Sequence, residues 1–143
     1  MEEQEIYNQF KEGLLNSGSK ITDPRKAIIG VFAGMEKPLT PMEVFERSKA
    51  VYPRIGLMTV YRTIEILISI GLLDRIHNVH GCEAVFLSPS KHQHLLLCSS
   101  CGTAVYFDGL DVQDEFKRIE GKFNFNITDH WMQVFGTCSE CKL

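Results

Sequence analysis

Four of the chain's five cysteines fall into two Cys-x2-Cys pairs, Cys98/Cys101 and Cys138/Cys141, with 36 residues between the pairs. Thiolates at this spacing converge on one ion, and a second pair completes a tetrahedron. In a reducing compartment the pattern predicts a four-thiolate zinc site rather than disulfides. A redox-active Cys-x2-Cys is the competing reading, although redox motifs normally come singly. The fifth cysteine, Cys82, stands apart.

His92 and His94 alternate by two just ahead of Cys98. In a strand both side chains would share a face, so one strand could offer a metal two imidazoles. Neutral imidazole suits zinc and the late first-row metals, and its binding depends on pH. The plainer reading is a solvent-facing strand start. A second cluster, His77, His80 and Cys82, spans six residues, and its thiolate would favour zinc over iron. Its plainer reading is a small buried cysteine with two surface histidines.

The elements that must position these residues divide the chain in two. Ile6, Tyr7, Phe10 and Leu14 form a helical stripe over residues 3–16. Thr22-Asp23-Pro24 opens a second helix that buries Ile28, Ile29, Val31, Phe32 and Met35. Thr40-Pro41 with Glu43 opens a third, with Val44, Phe45 and Ser48 inward. A fourth runs from about Met58 to Ile70, with Val60, Ile64, Leu67 and Ile68 as its core stripe and Thr59, Arg62, Thr63 and Glu65 facing elsewhere. Leu72–Asn78 and Ala84–Leu87 read as a two-stranded ribbon joined through Val79-His80-Gly81-Cys82. Helices followed by such a ribbon describe a winged helix-turn-helix. After it come strand candidates LLLC and TAVYF, a helix over Val112–Gly121 with Phe116 and Ile119 inward, and strands at Phe123–Ile127 and Trp131–Phe135. This half is small, and a metal tying its end to its first strand would reinforce it. The predicted class is α+β: a winged helix-turn-helix followed by a small α/β domain carrying a four-cysteine zinc site.

Hydrophobic residues at 44% and charged residues at 23% place the chain among ordinary globular proteins. No apolar run approaches a membrane span, and the acidic start MEEQEIYNQF is not a secretory signal, so a cytoplasmic protein without membrane partners is expected. The formal charge of −3 is uneven: residues 13–80 carry nine Lys/Arg against six Asp/Glu, and residues 81–143 carry five against eight. DNA contact confined to the first half fits that distribution.

TVYRTIEILISIGLL, Thr59 to Leu73, would bury one stripe and leave Tyr61 and Arg62 beside it. Arginine reaches guanine edges or phosphates, and tyrosine a base methyl or phosphate. This stretch closely resembles the recognition helix of the ferric-uptake-regulator family of metal-sensing repressors. The resemblance covers nearly the whole chain: TDPRKAII, PMEVFE, HQHLLLCSSCG and DHWMQVFGTCSEC follow the family's order and spacing. HGCEAVF, YFDGLD and DHWMQVFGTC look most like the zinc-uptake regulators within it.

The resemblance implies a winged-helix DNA-binding domain over 1–80, a wing end and hinge over 81–89, and a metal-binding dimerisation domain over 90–143. It implies a homodimer that binds a palindromic operator when a regulatory site is filled, repressing metal-uptake genes. Cys98, Cys101, Cys138 and Cys141 match the family's structural zinc ligands. Tyr61 and Arg62 match DNA-facing positions, with Thr59 beside them and Arg25 and Arg54 as phosphate contacts. His130 matches a histidine that joins a His-x-His pair and an acid, for which Asp111 is the first choice and Asp108 and Asp114 are rivals. The sequence departs from the pattern in having Gln113 where the family usually has Glu. Leu95 and Gln93 also stand where many relatives have histidines, three and five residues before the first knuckle cysteine. His92 and His94 are therefore ranked with His130, and a local bulge would be needed to turn them elsewhere.

The regulatory ion is expected to be zinc, otherwise iron; a peroxide sensor with iron-bound histidine is a further member of the same class. The competing classes are a zinc hydrolase, with His92, His94 and Asp111 around an open position, and a zinc-stabilised module that does not sense. The chain has neither HExxH nor a deaminase-like HxE…PCxxC pattern, so no enzyme is expected.

Overall fold

The computed structural model describes residues 2–78 and 80–142. It separates into two compact units, 1–88 and 89–143. Both strands of the ribbon thus lie within the first.

In the first unit, α1 (Glu3–Asn16), α2 (Asp23–Ala33), α3 (Pro41–Val51) and α4 (Leu57–Ser69) precede a hairpin of β1 (Leu73–His77) and β2 (Glu83–Leu87). Val79 of the predicted connection lies outside the described residues. Sequence chemistry sets the helix starts. The Thr22 hydroxyl accepts from the Arg25 N–H, with Pro24 in the first turn. Thr40 and Glu43 form a reciprocal capping box: the Thr40 N–H donates to Glu43 Oε2 at 2.7 Å, and the Glu43 N–H to the Thr40 hydroxyl at 3.2 Å. Phe10, Leu14, Ile28, Ile29, Phe32, Leu39, Val44, Leu67 and Leu73 are buried together. Each such side chain contributes about 1.5–3 kcal/mol by leaving water. Leu39 and Val85 exchange backbone hydrogen bonds at 3.0 and 2.8 Å, anchoring the ribbon to the α2–α3 turn. Arg75 bonds both Glu65 of α4 and, at 2.6 Å, Glu83 of β2.

Along α4 the partition differs from the predicted stripe at two positions. Thr63 is fully buried, and its hydroxyl donates to the Thr59 carbonyl at 2.7 Å. That bond satisfies the hydroxyl within the helix, so the residue can face the core. Ile68 is only half-buried.

The second unit holds β3 (His94–Cys98), β4 (Ala104–Phe107), α5 (Gln113–Phe123) and β5 (Gln133–Gly136). Its sheet order is β4-β3-β5, antiparallel on one side and parallel on the other. The strand predicted at Phe123–Ile127 does not form. Instead α5 runs through Phe123, and Asn124 closes it at φ 55°. Asparagine tolerates that left-handed cap. The Ile127 N–H then donates to Glu120 Oε1 at 2.7 Å, folding the segment back on the helix. Helix α5 buries no residue in this unit: Phe116 is half-buried and Ile119 exposed, whereas the helical period predicts both inward.

Removing the Thr40 hydroxyl leaves the Glu43 N–H uncapped. Thr40→Ala should therefore lower unfolding free energy by about 1 kcal/mol. Urea unfolding followed by circular dichroism should show a lower midpoint at unchanged slope.

Candidate metal centres and nucleic-acid interface

The second unit gathers two sets of ligand atoms, the members of each lying within 4.8 Å of one another. One is Cys98, Cys101, Cys138 and Cys141, all free thiols. Cys98 ends β3, and the turn beyond it brings round Cys101. Gly102, at φ 79°, closes that turn by donating its N–H to the Cys98 carbonyl at 3.0 Å. The second pair follows β5 in a similar turn, with the N–H groups of Cys141 and Lys142 on the Cys138 carbonyl. Cys101 Sγ lies 3.7 Å from Cys138 Sγ, and the Cys138 N–H donates to Cys98 Sγ at 3.4 Å.

The electrostatics of this set suit a cation. The backbone N–H groups of Cys101, Cys138 and Ser100 draw the Cys98 thiol down to about 6. The Thr103 hydroxyl, 3.2 Å from Cys101 Sγ, is the first cause lowering Cys101. Cys141, against Cys138 and then Cys101, is pushed up to about 12. Crowded thiols therefore cannot all ionise unaided, whereas a divalent ion deprotonates them together. The donor set could hold a tetrahedral zinc.

The other set is His92, His94 and His130. His94 opens β3 opposite Phe107 of β4, with ring centroids 5.7 Å apart. His92 lies just before the strand, yet its ring still meets that of His94 at 5.1 Å. His130 stands ahead of β5, its N–H on Asp129 Oδ1 at 2.8 Å and its ring against the edge of Phe116 at 4.7 Å. The Nε2 atoms of His92 and His130 are 3.2 Å apart. His94 is 2% exposed, and its Nε2 has no hydrogen-bond partner. Such an orphaned nitrogen costs about 1–3 kcal/mol, which a bound ion would relieve. Burial, then the neighbouring His92 and His130, lowers the His94 pKa and keeps the imidazole in its neutral, ligating form. The residues present fit a metal.

Asp111 is not brought into this set. Its Oδ1 accepts the Gln113 N–H at 3.2 Å, before α5. Asp108 is engaged by Gln93 at 3.0 Å and Lys91 at 3.2 Å, which hold its carboxyl below the usual range. Asp114 lies in the first turn of α5. The acids beside the histidines are ones that sequence reasoning passes over. A cavity of about 360 Å³ next to His92 and His130 is lined by Gln113, Lys117, Glu120 and Asp129. The position of Asp129 next to His130 was the available signal. No bulge interrupts β3, which pairs continuously from His94 to Cys98.

His77, His80 and Cys82 are not gathered into a ligand set. His77 pairs with Glu83 at the ribbon's end. His80 and Cys82 donate their N–H groups to Asn78 Oδ1 at 2.9 and 3.0 Å, which makes this stretch a side-chain-capped turn.

On the first unit, Arg25, Thr59 and Arg62 line one open groove of about 580 Å³ with Lys20 and Thr22. Arg25 donates to the Lys20 carbonyl at 2.8 Å, fixing its side chain along the groove. Tyr61 is exposed on α4, and Arg54 is exposed in the turn before it; neither lines the groove. The groove concentrates cations beside an exposed helix face, the electrostatic footprint of phosphate contact.

The profile of the Ferric uptake regulator family matches residues 16–135. The zinc uptake regulation protein of Mycobacterium tuberculosis is 32% identical over 127 residues, covering 88% of this chain and 97% of that protein. The ferric uptake regulation protein of Vibrio cholerae is 30% identical over 129 residues, covering 89% and 85%. In fold, the chain is similar to a zinc uptake regulator complexed with zinc and DNA, with a TM-score of 0.74 over 99% of this chain and 95% of that one, at 18% identity. No helix among the described residues is long and apolar enough to cross a membrane. The chain belongs to the ferric uptake regulator family, whose members are transcription regulators and not enzymes.

Proposed function

We propose that this regulator is a zinc-responsive repressor. In this reading it binds palindromic operator DNA as a homodimer when His92, His94 and His130 are loaded, and controls zinc uptake genes. The observation that carries it is the convergence of three imidazoles around an unpartnered buried nitrogen, a set that among the described residues gathers no carboxylate oxygen as closely. Neutral nitrogen donors suit zinc, whereas non-haem iron commonly takes two histidines and a carboxylate, and manganese prefers oxygen. The relative from Mycobacterium tuberculosis supports the same choice. An iron-responsive repressor is the second reading, supported by the ferric relative from Vibrio cholerae.

The four thiolates take a permanent zinc that holds the second unit together. The first unit supplies the DNA contacts: Arg62, Tyr61 and Thr59 on α4, and Arg25 and Arg54 toward phosphates. The second copy is supported by an apolar row on the sheet. Leu96 pairs with Val105 on one side and Val134 on the other, so the three share a face. They are 42%, 54% and 37% exposed. The edge strand β5 lies beside them, and a partner that covers both buries apolar surface and caps an open edge. A metal shifts such a dimer only by binding one arrangement better than another.

Binding to an operator fragment selected from random DNA, titrated with buffered zinc, iron(II) and manganese(II), should show a threshold with zinc first. A lower threshold with iron would select the second reading, and binding without any exchangeable metal would remove sensing altogether. His94→Ala should keep one zinc per chain and raise the zinc needed for DNA binding at least about tenfold, consistent with the loss of about 1.4 kcal/mol or more. Arg62→Ala should weaken operator binding by about 1–3 kcal/mol with metal content unchanged; unaltered affinity would displace α4 as the reading helix. Cys98→Ser should release the permanent zinc and unfold the second unit, seen as loss of its amide dispersion by NMR.

A further inference from the structure

Strand β5 buries none of its own residues in the second unit. It has four backbone pairs with β3: Leu95 with Gln133, Leu96 with Val134, Leu97 with Phe135, and Cys98 with Gly136. Two hydrogen bonds extend the ladder, from the Leu95 N–H to the Met132 carbonyl at 3.2 Å and from the Ser99 N–H to the Gly136 carbonyl at 2.7 Å. The strand is short, and its backbone pairing with β3 is what sets its position in the sheet. Each end of the same strand pair, however, runs into a ligand set. His94 opens β3 and His130 precedes β5; Cys98 ends β3 and Cys138 follows β5. Alternation along β3 puts His94, Leu96 and Cys98 on one face, so the apolar row of Leu96, Val105 and Val134 lies between the two sets.

We propose that a metal on His92, His94 and His130 ties the His130 end of β5 to the start of β3 and thereby protects the thiolate metal at the other end of the strand, so that the two sites are energetically linked through it. The proposal rests on the metal reading of the histidines. Opening of the thiolate site requires Cys138 and Cys141 to leave Cys98 and Cys101, and β5 must move with them. An ion that holds His130 against His92 and His94 opposes that movement. Linkage is reciprocal: a filled thiolate site presents His130 to its partners and strengthens metal binding by the histidines. Loading the histidines also completes the sheet face that carries Leu96, Val105 and Val134.

The test uses the full chain with its thiolate zinc in place, under buffered free zinc that leaves the histidines empty or full. Alkylation of the four thiolate-set cysteines by N-ethylmaleimide is followed by mass spectrometry, with exposed Cys82 as the internal reference for reagent reactivity. Loading should slow their modification about tenfold, within the usual range of coupling between sites. His92→Gln removes an exposed ligand and should lose this protection; whatever protection it retains is due to free zinc acting directly on the thiolates. A Gly-Gly insertion between His130 and Trp131 should leave both metals bound, by native mass spectrometry, and abolish the protection. Equal alkylation rates in the empty and full states, or undiminished protection in either variant, would overturn the proposal. If native mass spectrometry finds only one zinc per chain at saturating zinc, the metal reading of the histidines fails along with it.

Discussion

The second unit depends on one backbone interaction, the parallel pairing of β3 with β5. His92 and His130 are 38 residues apart in sequence, and Cys98 and Cys138 are 40 apart. The two pairs could not both close unless the chain returned beside its own first strand in the same direction. A parallel return needs a crossover, and β4 with α5 supplies it. The register then does the rest. With Leu95 opposite Gln133 and Cys98 opposite Gly136, both ligand sets close at once. A slip of one residue would turn His94 and Cys98 to the other face relative to their partners.

The first unit solves a different problem, presenting a polar helix face while burying the opposite one. Val60, Ile64 and Leu67 hold α4 to the core, and Thr63 joins them only because its hydroxyl is satisfied by the Thr59 carbonyl. This leaves Tyr61 and Arg62 exposed on the other side. Arg75 links the far half of α4 to the ribbon through Glu65 and Glu83, so helix and ribbon are held as one surface. Exposed ion pairs contribute little stability, and orientation is the more useful consequence of this one.

Much of this was legible in the sequence wherever one residue type dictates one local outcome. Thr40 with Glu43 specified a capped helix start, and Asp23-Pro24 another. The paired Cys-x2-Cys spacing specified two turns that converge. Strand parity placed His92 and His94 together, although His92 proved to lie just outside the strand. What was not legible depended on side-chain bonds that composition and periodicity do not show. Thr63 looks polar until its carbonyl acceptor is known. Phe123–Ile127 has strand composition, yet Asn124 and Glu120 close it as a helix end and turn. Ile119 follows a helical period, but nothing in its own unit covers it. Asp111 lay at a sensible distance in sequence, but it is not gathered with the histidines, and its Oδ1 accepts the Gln113 N–H.

The contrast between the two ligand sets also explains why one chain would keep both. Four thiolates would bring concentrated negative charge that a divalent cation would balance, and the thiols of Cys98 and Cys141 are shifted in opposite directions. An ion there becomes part of the fold, because releasing it restores the repulsion. Three imidazoles carry no charge when ready to bind, so the unfilled set is stable apart from the orphaned nitrogen of His94. In the proposed reading such a site would empty and fill as metal availability changes. In that reading the thiolate site would hold the end of β5 near Cys138, and the histidine site would act at its other end, where His130 precedes the strand. A change of metal there would act on the strand that carries Val134, which pairs with Leu96 on the apolar face.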